Sequence, residues 1–468
     1  MLKSSQEVLL KFSPSYLLTI KIIRGIFMRT IKEPAREVPI KDEFDVIVVG
    51  GGPAGIGAAI ASARNGARTL IIEESNCLGG LATFGLHLHM SKLTDEGENR
   101  EIIGGIPKEI CQRMLSINKA VYKNGCLDYD GEVLKYELDK MFKEENISIR
   151  YYTLAVSPIL EDNKVVGVIT ESKSGREAFL ARIIIDASGD GDIAARAGCP
   201  FEKGRKFDGL MQPATLMFTL RNIDYTKFSE FRKGDPRLTN TIYRAIENGD
   251  LYLFEDRAMG LWYFPGRPDE LNINFTNITN IDSTNADDLT RGTIEGRNQA
   301  WLLLNFFRKY VPGFENAEMV VTAPTLGIRE SRRILGSYIL TEEDVRHARM
   351  FEDNIALGSF FVDIHNPKGV GLYYEYERGK IDPAYGTYYG IPYRCIVPLK
   401  VDNILTAGRC ISTTHEALGS IRVMFTCMAI GQAAGTAATL AIKKNKTPRE
   451  LEIKELQKLL KDQGAILS

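Results

Sequence analysis

The chain has 468 residues, with 59 Lys and Arg residues against 60 Asp and Glu residues, a formal net charge of −1. Hydrophobic residues make up 44% of it, which is typical of soluble globular proteins and excludes a wholly disordered chain. The balanced charge argues against a nucleic-acid partner, because phosphate binding needs a basic excess. The seven cysteines form no C-x-x-C pair, so we expect no metal site and a reducing, cytoplasmic location.

Residues 1–40 are predicted to form an N-terminal extension. Within it, residues 16–27 (YLLTIKIIRGIF) are apolar but contain Lys21 and Arg24, so the segment is too short and too charged to span a bilayer. It also lacks the cleavage site of a secretory signal. We expect a disordered or loosely docked extension, with Met28 as an alternative start, and no stable membrane insertion. A basic amphipathic contact with a membrane surface is the alternative.

The sequence predicts a βαβ unit directly after this extension. Residues 45–49 (DVIVV) form a continuous apolar run, which is typical of a strand buried on both faces. A small-residue helix follows, Gly66 ends it as a C-cap, and residues 69–72 form the next buried strand. The segment has the length of about 30 residues that a βαβ unit needs.

Downstream, buried strands and helices surround a central region with a different pattern. In chain order we predict a helix over 132–143, strands near 147–156, 164–171 and 182–186, a helix over 288–310, a strand over 404–408, a helix over 423–443 and a last helix from a capping box at Thr447. In the central region Leu271, Ile273 and Phe275 alternate with polar residues, which is typical of a half-exposed antiparallel strand.

We therefore expect an α/β fold of two intertwined domains behind the extension. Residues 41–200 and 385–468 are predicted to form a Rossmann-like nucleotide-binding domain made of two separate segments. Residues 201–384 are predicted to form an inserted substrate or cap domain, an antiparallel sheet plus helices.

The strongest functional motif is Gly50-x-Gly52-x-x-Gly55 between the first buried strand and its helix. The first glycine allows the tight turn, the second lets the backbone approach a diphosphate, and the third lets helix and strand pack closely. Glu73 ends the next strand, 21 residues after Gly52, where a carboxylate accepts hydrogen bonds from ribose hydroxyls and repels a 2′-phosphate. The motif therefore predicts an adenine dinucleotide without that phosphate.

Three further features favour FAD over NAD. The pair Gly79-Gly80 would let the backbone pass close to an extended dinucleotide, and a strand ends at Ala187-Ser188-Gly189. A late strand, turn and helix run from Ala407 to Val423, and a helix N-terminus there would stabilise negative charge on a reduced flavin.

These motifs resemble the FAD-dependent oxidoreductase family of bacteria. That family is related to the flavoprotein subunits of fumarate reductase and succinate dehydrogenase and has a glutathione-reductase-like FAD fold. The matching stretches are residues 45–85, 102–110, 183–198, 326–345 and 403–441. The resemblance implies FAD as cofactor and transfer of a hydride between a small organic substrate and flavin N5, but it does not identify the substrate.

The resemblance also implies a set of FAD-binding residues. These are Gly50, Gly52, Pro53, Ala54 and Gly55 for the diphosphate, Glu73 with its neighbour Glu74 for the ribose, Gly79, Gly80, Leu81, Ala82 and Thr83 on the flavin side, Val156 for adenine, Ala187, Ser188, Gly189 and Asp192 as a second contact, and Gly408, Arg409, Arg422, Val423 and Met424 for the ribityl chain and pyrimidine.

The chain departs from its relatives at two places. Residues 81–85 (LATFG) stand where the dithiol relatives carry redox cysteines, so dithiol chemistry is excluded. Ala417 stands where fumarate reductases carry a substrate-binding arginine, which argues against a fumarate-like dicarboxylate. No second nicotinamide-binding motif is visible, so NAD(P)H would have to enter the substrate cavity.

His87, His89, His415 and Arg329 are the catalytic candidates. A histidine titrates near working pH and suits acid–base chemistry, although a packing role is the alternative for each. His415 precedes Glu416, a carboxylate that could orient it. Arg329 would hold an anionic substrate if it points inward rather than into solvent. His365 follows Asp363 and could pair with it.

Two other functions remain open from the sequence. One is a non-redox enzyme of the thiazole-synthase type that binds an adenine dinucleotide as reactant. The other is a non-catalytic flavin-binding protein or a subunit of a partner complex. The expected partners are a small-molecule substrate, for which an anion is one option, and an electron acceptor that the sequence does not identify. A homo-oligomer is left open.

Overall fold

The computed structural model describes residues 7–13, 16–23, 26–371, 382–384 and 386–468. The strands, in chain order, are β1 (Glu7–Ser13), β2 (Tyr16–Ile23), β3 (Ile26–Lys32), β4 (Ile40–Val49), β5 (Thr69–Ile72), β6 (His89–Met90), β7 (Ala120–Lys123), β8 (Cys126–Tyr129), β9 (Ser148–Arg150), β10 (Leu154–Glu161), β11 (Lys164–Ser172), β12 (Gly175–Asp186), β13 (Phe201–Lys203), β14 (Phe218–Arg221), β15 (Gly260–Phe264), β16 (Arg267–Asn274), β17 (Glu318–Thr322), β18 (Arg332–Ile334), β19 (Asn354–Gly358), β20 (Tyr389–Pro392) and β21 (Ile404–Thr406).

The helices lie between these strands and, at the end of the chain, after the last of them. They are α1 (Pro53–Arg64), α2 (Ile106–Ser116), α3 (Gly131–Glu144), α4 (Asp192–Arg196), α5 (Tyr225–Arg232), α6 (Thr239–Glu247), α7 (Ala286–Tyr310), α8 (Glu342–Arg346), α9 (His415–Ile421), α10 (Met424–Lys444) and α11 (Ile453–Asp462). The predicted βαβ unit is confirmed as β4, α1 and β5, and the predicted helices over 132–143, 288–310 and 423–443 are confirmed as α3, α7 and α10.

Residues 1–40 form a unit of their own. Its described backbone forms an antiparallel sheet in the order β1-β2-β3, which differs from a disordered extension. Isoleucine and threonine make up half of residues 16–23, and such β-branched residues favour extended backbone. Arg24, one of the two charges noted above, lies outside the described residues.

Residues 41–468 form the second unit, which contains a seven-stranded sheet. The strand order is β10-β11-β12-β4-β5-β9, and β21 pairs with β12. The pairs β4·β5, β5·β9 and β12·β21 are parallel, whereas β10·β11 and β11·β12 are antiparallel. Because Gly50 N–H donates to Ile72 O, Ala187 N–H to Val49 O and Ala407 N–H to Asp186 O, four strands end at one edge of the sheet.

Helices α1 and α10 pack together through glycines. A Cβ on Gly431 would lie 1.9 Å from Ala54 O, and one on Gly435 would lie 2.1 Å from Ala58 O. Among the described residues, α10 alone is long and apolar enough to cross a membrane, and 89% of its most apolar stretch is buried inside the protein. This burial is that of a core helix.

A separate four-stranded antiparallel sheet has the order β15-β16-β14-β17. Phe306 and Phe307 of α7 share an apolar cluster with Leu271 and Ile273 of β16. The expectation that residues 271–275 form a half-exposed strand is wrong. Its polar face is also covered, since Asn272 is fully buried and Asn274 accepts a hydrogen bond from Thr215 Oγ1 at 2.8 Å.

The C-terminal helix also differs from the prediction. The capping box between Thr447 and Glu450 is present, but it caps only a 3-10 turn, Pro448–Glu450, and α11 begins at Ile453. The expected domain limits at residues 200 and 384–385 stay a prediction, and residue 385 lies outside the described residues.

Candidate functional site

A cavity of about 310 Å³ opens where β4, β5, β12 and β21 end, and we call it the strand-end cavity. It is lined by Gly50, Gly52, Pro53, Ala54, Glu73, Glu74, Ser75, Gly80, Leu81, Phe84, Ala187, Ser188, Gly189, Asp190, Ser283, Leu289, Thr325, Leu326, Ile328, Ala407, Gly408, Arg409, Arg422, Met424 and Cys427. Ligands in open α/β sheets bind at this end of the strands.

The glycine loop leaves room for a ligand at one position only. Gly50 has a φ of 98°, and a Cβ there would lie 2.5 Å from Ala187 O. A Cβ on Gly55 would lie 1.8 Å from Gly50 O, so this glycine allows helix and strand to touch. At Gly52, in contrast, no heavy atom lies within 4 Å of the position that a Cβ would take. Gly52 therefore faces the open cavity.

The N-terminus of α1 points into this cavity. Gly52 is its N-cap, supplies no side-chain cap, and its carbonyl accepts the first helical hydrogen bond, from Ile56 N–H at 3.0 Å. The N–H groups of Ala54 and Gly55 precede that bond and have no partner within the helix. Free N–H groups together with the helix dipole bind phosphate oxygens.

Glu73 is held at the cavity wall by backbone donors. Its Oε2 accepts from Gly51 N–H at 2.6 Å and its Oε1 from Ser75 N–H at 2.8 Å. These two bonds fix the carboxylate beside the glycine loop, where ribose hydroxyls could still reach its free lone pairs. Burial and the nearby charges of Glu73, Asp192 and Asp190 raise the pKa of Glu74.

A buried aspartate, missed in the sequence, shapes the second wall. Asp186 Oδ1 accepts from Ser188 N–H and Ser188 Oγ at 3.1 and 2.7 Å, and its Oδ2 accepts from Ala194 N–H at 2.8 Å. Burial raises the pKa of Asp186 despite these hydrogen bonds. The carboxyl group therefore sets the turn that presents Ala187, Ser188 and Gly189 to the cavity.

Arg409 reaches the same wall from the end of β21. Its Nη2 donates to Asp190 Oδ1 at 2.6 Å and its Nη1 to Ser331 Oγ at 2.7 Å. Ser283 Oγ also donates to Asp190, at 3.2 Å. Asp190 and Ser283 were not predicted, and Ser283 carries no motif that could have revealed it.

The structure brings most of the predicted cofactor residues to the strand-end cavity, but not all of them. Gly55, Gly79, Ala82, Thr83, Val156, Asp192 and Val423 do not line it. Thr83 is buried and its Oγ1 donates to Leu78 O at 2.6 Å, which supports the flavin-side loop from behind. Asp192 pairs with Arg332 at 2.9 Å, and Val423 lines the neighbouring cavity.

That neighbouring cavity has about 420 Å³, and we call it the aromatic cavity. It is lined by Leu81, His87, His89, Ser91, Lys92, Glu96, Cys126, Arg237, Arg257, Met259, Trp262, Asn274, Phe360, Phe361, Val362, Asp363, His365, Asp382, Arg422, Val423 and Met424. Leu81, Arg422 and Met424 line both cavities, which therefore adjoin.

His87 and His89 stack on the same indole in the aromatic cavity. Their ring centroids lie 5.0 and 4.9 Å from that of Trp262. Burial and the charges of His89 and Arg329 lower the pKa of His87 to about 3. Burial opposes the charged form of His89 as well, but hydrogen bonds with Asp128 and Cys126 raise its pKa to about 9. At neutral pH, His87 is neutral and His89 is a cation.

Arg422, Asp363 and His365 form the junction side of this cavity. Arg422 Nη2 donates to Asp363 O and to Asp363 Oδ2, both at 2.8 Å. His365 Nε2 lies 3.7 Å from Asp363 Oδ1, a looser contact than the pairing considered from the sequence. Burial and the charges of Arg329 and Arg422 lower the pKa of His365 well below its ordinary value.

Two of the catalytic candidates lie outside both cavities. Arg329 is buried, and its Nη1 donates to Pro213 O at 2.7 Å, while burial and the charge of Arg422 lower its pKa to about 10. His415 is buried with its Nδ1 2.7 Å from Glu330 Oε2, and Glu330 also pairs with Arg333. The Glu330 carboxylate, rather than the adjacent Glu416 considered from the sequence, lies beside this imidazole.

The donor set of the strand-end cavity fits FAD. Gly52 leaves space for the diphosphate, the α1 N-terminus offers N–H donors to it, and Glu73 offers acceptors for the ribose. The described residues contain no group of three or more His, Cys, Asp and Glu side chains arranged to hold a metal ion.

Comparison with known proteins agrees with this fit. The sequence pattern of the FAD dependent oxidoreductase family matches residues 45–460. Thiamine thiazole synthase of Aeropyrum pernix is 32% identical over 125 residues, 27% of this chain and 43% of that protein. Digeranylgeranylglycerophospholipid reductase 1 of Methanopyrus kandleri is 32% identical over 161 residues, 33% of this chain and 41% of that protein.

A third relative comes from a eukaryote. The probable mitochondrial electron transfer flavoprotein-ubiquinone oxidoreductase of Saccharomyces cerevisiae is 28% identical over 264 residues, 45% of this chain and 40% of that protein. The chain thus matches less than half the length of each of these relatives, which come from two archaea and a yeast. The family pattern covers most of the chain, FAD is the cofactor, and the protein belongs to the FAD dependent oxidoreductase family.

Proposed function

We propose that this enzyme transfers a hydride between FAD in the strand-end cavity and a small organic substrate in the aromatic cavity. One observation carries the proposal: the two cavities adjoin at Leu81, Arg422 and Met424. FAD, when bound, supplies a centre at flavin N5 that accepts or releases a hydride. An extended dinucleotide anchored at Gly52 and Glu73 would bring its flavin end to this junction.

Different residues of the chain would bind different parts of the cofactor, from its diphosphate to its flavin end. The α1 N-terminus and Gly52 bind the diphosphate, and Glu73 accepts from the ribose. The flavin-side loop of Gly80 and Leu81 lines the path to the junction. An indirect role, that of shaping the backbone that lines the cavity, is assigned to Gly55, Gly79, Ala82 and Thr83. Arg409 would approach the ribityl chain. Val156 is assigned to the adenine and Asp192 to the second wall of the site, and for both residues the assignment rests on the family resemblance.

His89 is our candidate for the group that delivers a proton to the substrate. It lines the cavity, and its Nδ1 lies 2.6 Å from Asp128 Oδ1, a contact that stabilises the imidazolium. His87 is neutral beside it and, with a pKa of about 3, is a weak proton acceptor at neutral pH, so we assign it a positioning role through its stack on Trp262. Arg329 and His415 are assigned a supporting role behind the cavities.

The fold supports a finer assignment. We infer the glutathione-reductase-like form with an inserted domain, because β4 and β5 share a sheet with β21, about 330 residues later in the chain, while the four-stranded sheet comes from the chain between them.

The electron acceptor is proposed to be an electron-transfer protein or a quinone, because the chain resembles the yeast relative. A cytoplasmic location is proposed because all seven cysteines are free thiols.

The variant Gly52→Glu tests the cofactor site. A Cβ on Gly52 meets open space, so the fold should survive, while the added carboxylate should repel the diphosphate and abolish FAD retention. Gly234→Glu is the matched control, because Gly234 is exposed and a Cβ there lies 3.8 Å from its nearest neighbour, Phe231 O. Full FAD occupancy in a folded Gly52→Glu protein, measured by flavin absorbance, would show that the site is misplaced.

The second candidate function is a non-redox enzyme of the thiazole-synthase type, and one sequence match favours it. The match to a thiamine thiazole synthase covers 27% of this chain. A non-redox enzyme of that type would hold its dinucleotide in the same strand-end cavity but would not need a flavin at the junction. A bound flavin that dithionite bleaches would exclude it, and turnover by the isolated chain would exclude a purely binding role.

A further inference from the structure

The aromatic cavity combines one apolar wall with a cationic rim. Trp262, Phe360 and Phe361 supply the wall, and the Phe360 and Phe361 ring centroids lie 4.5 Å apart. His89 stacks on the Trp262 ring with an interplanar angle of 10°, which fixes the orientation of the indole. Such a wall suits the flat apolar body of a ligand.

The charged groups of the cavity are mostly paired with one another. Lys92 lies 2.5 Å from Glu96, Arg422 lies 2.8 Å from Asp363, and the third pair joins Arg257 to Asp256 at 2.7 Å. Each of these cations is therefore neutralised before a ligand arrives, and it would attract an anion only weakly.

Arg237 is the exception. It lines the cavity, and within the part of the chain that the structure describes its guanidinium has neither a hydrogen-bond nor an ion-pair partner. The lining carries four Lys and Arg side chains and the cationic His89, against the carboxylates of Glu96, Asp363 and Asp382. An arginine at the rim of an apolar cavity binds a carboxylate with two parallel hydrogen bonds.

We propose that the substrate is an organic acid with one carboxylate and a flat apolar body, its carboxylate bound by Arg237 and its body lying against Trp262. The proposal rests on the assignment of the aromatic cavity as the substrate site in the proposed function. One carboxylate is specified because, among the described residues, one cation of the rim is unpaired.

The two tryptophans of the chain provide a direct readout. Trp301 lies on α7, is 56% exposed and is not part of either cavity lining, so Trp301→Phe leaves Trp262 as the only indole. Holoenzyme with this substitution is titrated with 3-phenylpropionate and with its neutral amide, 3-phenylpropionamide, while Trp262 fluorescence is recorded. The two probes share an apolar body and differ in charge.

We expect the acid to bind at least about tenfold more tightly than the amide, as a charge-assisted hydrogen bond would give. Arg237→Met should abolish this preference. Arg221→Met is the matched control, because Arg221 of β14 pairs with Glu318 and lies outside the cavity lining, so the preference should persist. Equal binding of acid and amide, a preference that survives Arg237→Met, or no binding of either probe would overturn the proposal.

The same titration separates the substrate class from the reaction. Acid-selective binding that depends on Arg237, without flavin reduction by any member of a wider panel of organic acids, would leave the binding site standing and count against hydride transfer. Flavin reduction by neutral substrates with no role for Arg237 would support hydride transfer and overturn the substrate class.

Discussion

His87 and His89 are two residues apart and contact the same indole, yet their pKa values move in opposite directions. The difference comes from Asp128, whose Oδ1 lies 2.6 Å from His89 Nδ1, whereas His87 Nδ1 is buried without a hydrogen-bond partner among the described residues. The sequence identified both histidines as candidates. It could not assign their charges, because Asp128 and Trp262 reach them through tertiary contacts.

The contact between His89 and Asp128 should make the free energy of unfolding depend on pH. His89 has its pKa raised in the folded state to about 9 from 6.5, so its contribution is fully present below pH 6.5 and is lost as the pH rises through 9. Asp128→Asn should therefore lower the free energy of unfolding by at most about 3 kcal/mol at pH 6 and by little at pH 10. Urea unfolding at both pH values measures this.

The exposed Asp269 supplies the control for that experiment. It also lies in a strand, β16, and Asp269→Asn should leave the free energy of unfolding unchanged at both pH values. A loss of stability in Asp128→Asn that is equal at pH 6 and pH 10 would mean that His89 is not held as a cation.

At the scale of elements, the contact of α1 with α10 positions the diphosphate site. Gly431 touches the backbone of Ala54, which belongs to the first turn of α1. Alanine normally stabilises a helix relative to glycine by about 1 kcal/mol. Here a Cβ would lie 1.9 Å from Ala54 O, so the helices must separate.

We therefore predict that Gly431→Ala destabilises the protein by about 1–3 kcal/mol and weakens FAD retention, because the first turn of α1 moves. Urea unfolding and flavin content after gel filtration are the two measurements. A Gly431→Ala protein that is more stable than the parent and fully loaded with FAD would contradict the role given to this helix contact.

The strand β16 shows why an element can be found while its environment is misjudged. Alternating Leu271, Ile273 and Phe275 indicated the strand correctly, but the polar residues between them do not face solvent. Asn274 lines the aromatic cavity and Asn272 is buried. A polar face that borders a ligand cavity gives the same periodic pattern as one that borders water, so periodicity alone cannot separate the two.

For the whole molecule, the sequence predicted the site best where the chemistry is local. Gly50, Gly52 and Glu73 lie within one βαβ unit, and their spacing predicted their common cavity. Ser283 and Arg237 reach the two cavities only through the folding of distant segments, and no local motif marks them. His415 illustrates the opposite error, because proximity to Glu416 in sequence suggested an active-site pair while the fold placed it beside Glu330.

The central claim is that FAD bound in the strand-end cavity exchanges a hydride with a substrate in the adjoining aromatic cavity. The most direct test is the visible spectrum of the purified protein, recorded before and after addition of dithionite and then of candidate organic acids, with the released cofactor identified by mass. We predict a flavin spectrum that dithionite bleaches, FAD as the released cofactor, and bleaching by at least one acid. A colourless protein that releases a different adenine dinucleotide would contradict the claim.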